Sequence, residues 1–219
     1  EKPRGDKVLS DHGARRELAQ ALAEGVRGHV RDVRRRLGER GEVSLLVVQV
    51  DEPALAAVLG GGVPTASGFG RHRTVHPPEA SEHLAWVLAA ILEEGAEPWV
   101  HACAPGTPLE LVRGAGARGL AVDLDVLDAA GHDALATALE AGERVVLGLV
   151  PSSDAAGLDT TTDTAVVERA LRWLDMLGLD PATVGERLAI SSTCGLAGAT
   201  GDGARRALRL ARSAAGHLA

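Results

Sequence analysis

The chain is poor in aromatic residues. Its 219 residues include three tryptophans, one phenylalanine and no tyrosine. Proteins that bind single-stranded nucleic acid stack the bases on aromatic side chains, and this sequence offers few such platforms. The charge balance points the same way, because 30 acidic residues outnumber 23 lysines and arginines and give a net charge of −7. We therefore expect no nucleic-acid partner.

Long apolar runs are also absent. No run approaches the roughly 18 residues that a membrane-spanning helix needs, and the chain opens on the polar segment Glu1–Arg4 rather than on a secretory signal. We expect a cytoplasmic protein without membrane association. Cys103 and Cys194 are the only cysteines, and in the cytosol we expect them as reduced thiols rather than as a disulfide.

Helical and strand-like hydrophobic patterns alternate along the chain. The first helix is predicted to begin at Ser10 or Asp11 and to bury one stripe of apolar residues, namely Leu18, Leu22, Val26, Val30, Val33 and Leu37. Five strands are predicted at Val43–Val50, Pro98–Cys103, Gly119–Asp125, Arg144–Val150 and Leu188–Cys194. Further helices are predicted at Glu82–Glu94, Leu109–Ala115, Ala134–Ala141, Thr164–Leu177 and Gly203–Leu218.

This alternation indicates a parallel α/β architecture. Polar residues end several different strands, and in a (β/α)₈ barrel of the TIM type the carboxyl ends of the strands carry the chemistry. Five strands are too few for a complete barrel. We therefore expect residues 1–219 to form a single catalytic domain that supplies roughly the last five β/α units, with the upstream strands outside this chain. A doubly wound open sheet is the alternative.

A histidine and two cysteines fall at predicted strand ends. His101 and Cys103 are two residues apart, so in a strand their side chains point to the same side. Cys194 ends another strand. One imidazole and two thiolates suit Zn²⁺, with a fourth position for a carboxylate, water or substrate. The alternative is that they are ordinary core residues. The other seven histidines have no matching partners, and we expect them at the surface.

Carboxylates and hydroxyls near other strand ends are candidate site residues. Asp123 and Asp125 share one predicted strand face. We expect Asp125 to be the fourth metal ligand, and Asp123 is the next candidate. Gln49 and Asp51 share the inward face of the first strand, where Asp51 either binds a substrate amino group or caps the next helix. The loop that carries Ser67 either hydrogen-bonds a ligand or only connects two elements.

Three motifs together resemble one known family. The segments are Gln49-Val50-Asp51-Glu52-Pro53-Ala54-Leu55, His101-Ala102-Cys103 and Thr193-Cys194-Gly195-Leu196-Ala197-Gly198. They are similar to the catalytic domain of cobalamin-independent methionine synthase, most closely to short single-domain relatives from high-GC bacteria. The resemblance runs in order from the first predicted strand to the last helix.

The resemblance implies a zinc-dependent S-methyltransferase that forms methionine from homocysteine. In that family zinc binds the homocysteine thiol and lowers its pKa. His101, Cys103 and Cys194 match the metal ligands, and Asp125 falls where the family has a glutamate ligand. Asp51 matches the aspartate that holds the substrate's amino group, with Gln49, Glu52 and Ser67 as further candidate substrate-binding residues. Asp51 and Asp125 are thus the candidate catalytic residues.

One departure from the family concerns the methyl donor. Where the family has Asp-x-His-Ser-Pro-Arg, this chain has Val150-Pro151-Ser152-Ser153 and no histidine. The donor is therefore either methyltetrahydrofolate or a methyl-corrinoid protein. A thiol methyltransferase of the corrinoid-dependent, uroporphyrinogen decarboxylase-like type is one alternative. A non-catalytic barrel that binds zinc and an amino acid is the other.

Overall fold

The computed structural model describes residues 7–41 and 44–218. Its contacts divide the chain into two compact units. Unit 1 comprises residues 1–100 and 110–118, and unit 2 comprises residues 101–109 and 119–219. That residues 1–219 form a single catalytic domain remains a prediction.

Unit 1 is built around two long helices. α1 (His12–Gly38) begins at the predicted place, since the Asp11 side chain accepts a hydrogen bond from the Ala14 amide and caps the helix. β1 (Val47–Asp51) and the short α2 (Leu55–Leu59) follow, and then α3 (Pro77–Glu93) begins with prolines in its first turn. β2 (Glu97–Ala102) and α4 (Leu109–Gly114) are the next elements along the chain.

α1 and α3 pack through small apolar side chains. Ala23 of α1 and Val87 and Ala90 of α3 form a buried cluster, on which Val50 of β1 also packs. At the rim, Arg15 donates to the Glu79 carboxylate at 2.7 Å. Further ion pairs cross between the helices, from Arg27 to Glu93 and from Arg31 to Glu94.

The predicted buried stripe of α1 is wrong at its leucines. Val30 is buried as predicted, but Leu18 and Leu22 are 56% and 52% exposed, and Leu37 is exposed as well. The residues that α1 buries are instead Ala19, Ala23 and Val30. Leu18 and Leu22 lie one position before these alanines, at the margin of the helix–helix contact.

Unit 2 contains the remaining strands and helices. In chain order they are β3 (Gly119–Asp123), α5 (Ala129–Glu140), β4 (Arg144–Val150), α6 (Asp163–Leu177), α7 (Pro181–Val184), β5 (Leu188–Ser192) and α8 (Gly201–Leu218). Asp128 and Thr162 cap α5 and α6 through side-chain oxygens. The core of the unit is aliphatic, with Leu135, Leu147 and Leu174 almost completely buried.

The chain has the predicted α/β fold with a parallel sheet. Its five strands are ordered β1-β2-β3-β4-β5, and β4 pairs in parallel with both β3 and β5. A strand-to-strand crossover of this kind requires an intervening connection, which here contains a helix each time. All five predicted strands are confirmed with small shifts of their ends. Closure of a (β/α)₈ barrel remains a prediction.

Several strand ends differ from their predicted positions, and two of these differences are in β1 and β3. The predicted start of the first strand, Val43, lies outside the described residues, and β1 begins at Val47. β3 stops at Asp123 because the chain turns into a 3₁₀ helix at Leu124–Val126, whose start the Asp123 carboxylate caps. Within the described residues, no helix is long and apolar enough to cross a membrane.

Candidate metal centre

Unit 2 brings His101, Cys103 and Cys194 together. One donor atom from each side chain lies within 4.8 Å of the other two, and the two sulfur atoms are 3.0 Å apart. Both cysteines are free thiols and partly buried. His101 lies in β2 and Cys103 directly follows its end, so the two-residue spacing places both donors on one side as predicted.

The backbone around β4 and β5 positions Cys194. The register between the two strands shifts between Gly148 and Val150, and the Thr193 amide then donates to the Val150 carbonyl at 2.8 Å. In the turn that follows, the Ser192 hydroxyl donates to the Cys194 carbonyl at 2.8 Å. Two hydrogen bonds thus fix the peptide units on both sides of the cysteine.

Gly148 makes this close approach of the strands possible. A Cβ atom at this position would lie 2.7 Å from the Val122 carbonyl oxygen of β3 and 2.8 Å from the Thr193 Cα. Real Cβ atoms do not approach backbone atoms so closely. The absence of a side chain therefore allows β4 to lie tightly between the end of β3 and the segment that carries Cys194.

The surroundings hold Cys103 as a neutral thiol. Burial is the largest cause that raises its pKa, and the neighbouring Cys194 sulfur and the Asp123 carboxylate raise it further, to about 11. Three negative or potentially negative groups in one place favour protonation unless a cation joins them. A divalent metal reverses this preference, because a coordinated thiol loses its proton.

The two predicted carboxylates lie differently with respect to this cluster. Asp125 is exposed on the 3₁₀ turn and forms an ion pair with Arg169 of α6. Asp123 is partly buried, and burial raises its pKa while the charge of His101 lowers it. Asp123 therefore interacts electrostatically with both His101 and Cys103. The ligand role of either carboxylate remains a prediction.

The donor set fits zinc. Ligands of one tetrahedral Zn²⁺, bound at about 2.0–2.3 Å, lie roughly 3.3–3.8 Å apart. The 3.0 Å sulfur separation and the 4.8 Å limit on the group bracket these values. One imidazole and two thiols also suit zinc better than they suit magnesium or calcium, which prefer oxygen ligands.

The other candidate residues belong to unit 1. Gln49 and Asp51 are exposed at the end of β1 and share a face as predicted, because the Gln49 amide donates to the Asp51 carboxylate at 2.9 Å. Glu52 is partly buried, and burial raises its pKa. Ser67 is exposed in a loop closed by a bridge between Pro64 and Arg71, where its hydroxyl lies 3.1 Å from that of Thr65.

Sequence reasoning missed several residues that shape the cluster. Arg169 binds Asp125 from a helix that starts 38 residues later, and no local pattern signals that contact. Ser192 ends β5 as a predicted strand residue, but its second role, in which its hydroxyl fixes the turn, has no signal in the strand pattern. The expectation that all other histidines are at the surface is wrong for His72, which is 8% exposed.

Similarity between this chain and individual known proteins is low. No curated protein matches the chain. One similar structure is a crystal structure of an uncharacterized protein, with 15% identity and a TM-score of 0.45; the match covers 90% of this chain and 44% of the other. The chain thus spans less than half the length of that protein.

The family model described as "Cobalamin-independent synthase, Catalytic domain" matches residues 8–217. This span includes the three motifs and every element from α1 to α8. The chain belongs to the cobalamin-independent synthase catalytic-domain family.

Proposed function

We propose that this protein is a zinc-dependent S-methyltransferase that methylates the thiol of homocysteine. The observation that carries the proposal is the convergence of His101, Cys103 and Cys194. The donor atoms of these three described residues lie close enough together to bind one metal ion. The family match supports the reaction class. The fold supports it too, since the cluster follows the carboxyl ends of parallel strands, where α/β enzymes carry their active sites.

The proposed metal ligands are His101, Cys103, Cys194 and one aspartate, either Asp125 or Asp123. Bound zinc would stabilise the thiolate form of the substrate at neutral pH. In the reaction, the substrate sulfur forms a bond to the methyl carbon while the bond from that carbon to the donor breaks. The thiol proton is lost to solvent, and the donor leaves with the bonding electron pair.

Substrate recognition is assigned to β1 and the segments after it. Asp51 is exposed and oriented by the Gln49 amide, so its carboxylate is accessible to an ammonium group. The assignment of Ser67 to substrate binding rests on the hydroxyl-bearing loop that carries it, and that of Glu52 on its place in the first motif. Asp51 and Asp125 remain the proposed catalytic residues, the former through the substrate's amino group.

The methyl donor is a separate question. The segment after β4 reads Pro151-Ser152-Ser153 and has no histidine to protonate a departing folate nitrogen. This favours a methyl-corrinoid protein, in which the departing group is the cobalt centre itself and needs no proton. Methyltetrahydrofolate is the other candidate donor.

The proposal is tested by methyl transfer in vitro. Zinc-loaded protein is incubated with homocysteine and either methylcobalamin or methyltetrahydrofolate, and methionine is measured by mass spectrometry. We expect methionine from at least one donor, and none after Cys103→Ser. His29→Gln, which removes an exposed histidine of α1, is the matched control and should keep full activity. Zinc-loaded, folded protein that produces no methionine from either donor would support a non-catalytic binding barrel instead.

A further inference from the structure

A cavity lies within unit 1, among the first turns of α1 and α3, the end of β1 and α2. Its volume is about 350 Å³, within the range of small-molecule sites. Its walls are mostly aliphatic, with Leu18, Leu22, Leu55, Leu84 and Val87 among the lining residues. This cavity contains none of the three proposed zinc-binding side chains.

The cavity accounts for the exposed leucines of α1. Leu18 and Leu22 are more than half exposed, and both line it. Each exposes apolar surface to water, and burial of that surface by a ligand would contribute about 25 cal/mol of stabilisation per Å². Clustered apolar side chains around a concave site are typical of a surface that binds something.

Glu52 gives the cavity a charged group. Side chains alternate along a strand, and at the end of β1 Val50 faces the helices while Gln49 and Asp51 lie together on the other side. Glu52 follows the parity of Val50 and lines the cavity. No hydrogen bond or ion pair joins its carboxylate to another described residue, and burial raises its pKa.

The other polar side chains of the cavity wall are Arg15 and His83. The Arg15 guanidinium donates to Glu79 at 2.7 Å and to the Leu9 carbonyl at 2.7 Å. The His83 ring packs against Trp86 with the ring centroids 5.1 Å apart. Among the described residues that line the cavity, Glu52 is the only carboxylate, and its charge favours a cation.

We propose that this cavity binds a small amine, whose apolar body packs against Leu18, Leu22 and Leu84 and whose ammonium group pairs with Glu52. The inference goes beyond the proposed methyl transfer. The two share only Glu52, a candidate substrate-binding residue, and no proposed metal ligand takes part in amine binding. An ammonium–carboxylate contact in such a partly buried site is a charge-assisted hydrogen bond. The apolar lining selects amines that carry a hydrocarbon chain.

The test uses three probes of equal chain length, namely n-hexylamine, n-hexanol and hexanoate. Binding to the full chain is measured by isothermal titration calorimetry at pH 7.5, with Trp86 fluorescence as a local reporter. We expect hexylamine to bind roughly tenfold more tightly than hexanol, as a charge-assisted hydrogen bond allows. Hexanoate should bind most weakly.

Two variants locate the site. Glu52→Gln keeps the shape of the side chain and should abolish the preference for the amine over the alcohol. Leu18→Arg places a cation in the cavity and should abolish binding of both. Leu208→Arg changes a leucine of α8 that is 64% exposed and outside the cavity, so it controls for the added charge. The proposal is overturned if folded wild-type protein does not bind hexylamine at millimolar concentration, if it prefers hexanoate, or if Glu52→Gln keeps the amine preference.

Discussion

Two thiol sulfur atoms at or within van der Waals contact distance are an unusual arrangement in a protein unless a ligand such as a metal ion binds them. Cys103 and Cys194 are 3.0 Å apart, and the Cys103 pKa of about 11 means that its thiol is neutral at physiological pH. Metal binding must displace that proton, so it gains from a compact donor set and from nearby negative charge. Asp123 supplies such charge beside Cys103 and His101.

The two aspartates can be separated by substitution. We predict that Asp123→Asn weakens zinc affinity roughly tenfold or more, as loss of a ligand or of a carboxylate beside the ligands does. Asp125→Asn should have a smaller effect, because that carboxylate is exposed and paired with Arg169. Competition titration with a chromophoric zinc chelator measures both. A larger loss of zinc affinity in Asp125→Asn than in Asp123→Asn would indicate that Asp125 is the fourth ligand.

At the scale of single residues, the sequence predicted that His101, Cys103 and Cys194 converge, as the structure shows. Their role as metal ligands remains a prediction. The i, i+2 spacing of His101 and Cys103 was sufficient for the first pair, and Cys194 followed from the end of a predicted strand. The placement of Asp125 could not be predicted, because β3 ends two residues early and Arg169 comes from a distant helix. Both effects depend on tertiary contacts.

Among the elements, β4 carries the tightest packing constraint. We predict that Gly148→Ala lowers the free energy of unfolding by about 1–3 kcal/mol, as overpacking does, because its Cβ would collide with the Val122 carbonyl and the Thr193 backbone. Urea denaturation measures this effect. Gly216→Ala in α8 is the matched control, since nothing lies within 4 Å of the added methyl group. It should be neutral or slightly stabilising, and equal effects of the two substitutions would refute the packing argument.

The contact between α1 and α3 predicts a pH dependence. Hydrogen bonds from Arg15 and His12 lower the pKa of Glu79 from its usual 4.5 to about 2. A depressed pKa contributes stability that is fully present above the ordinary value and is lost as the pH falls towards the folded value. We therefore predict that Glu79→Gln costs about 1–2 kcal/mol at pH 7, and that this difference shrinks between about pH 5 and 2.

Urea unfolding measured across that pH range checks the prediction. Glu17→Gln removes an exposed carboxylate from α1, the helix that carries Arg15 and His12, and should change the stability little at any pH. If Glu79→Gln and Glu17→Gln behave alike, the Arg15 and His12 contacts do not stabilise unit 1.

Element types were easier to predict than their burial. Every predicted strand and helix exists, since alternation of β-branched runs with 3.6-residue periodicity is a local signal. The burial of α1 was not predictable in the same way. The periodic pattern marks Leu18 and Leu22 as core residues, yet the small residues Ala19 and Ala23 occupy the contact with α3 and leave the leucines at a cavity.

For the whole molecule, the sequence indicated a parallel α/β fold and the family, and both are confirmed. The division into two compact units was not foreseen. The boundary between the units at His101 falls inside β2. The amino-acid composition does not change there, because contact density depends on which distant segments of the chain meet. The proposed zinc ligands all belong to unit 2, so the metal site can be tested without reference to unit 1.

The most direct test of the account is the zinc content of the purified, reduced protein. Elemental analysis should give about one zinc per chain for the wild type and for His29→Gln, the exposed-histidine control. His101→Gln and Cys194→Ser should each lose most of the metal while remaining folded, because each removes one of the three nitrogen and sulfur ligands that suit zinc best. A folded, reduced wild-type protein that takes up no zinc, or a Cys194→Ser variant that keeps it, would contradict the proposed site and the chemistry assigned to it.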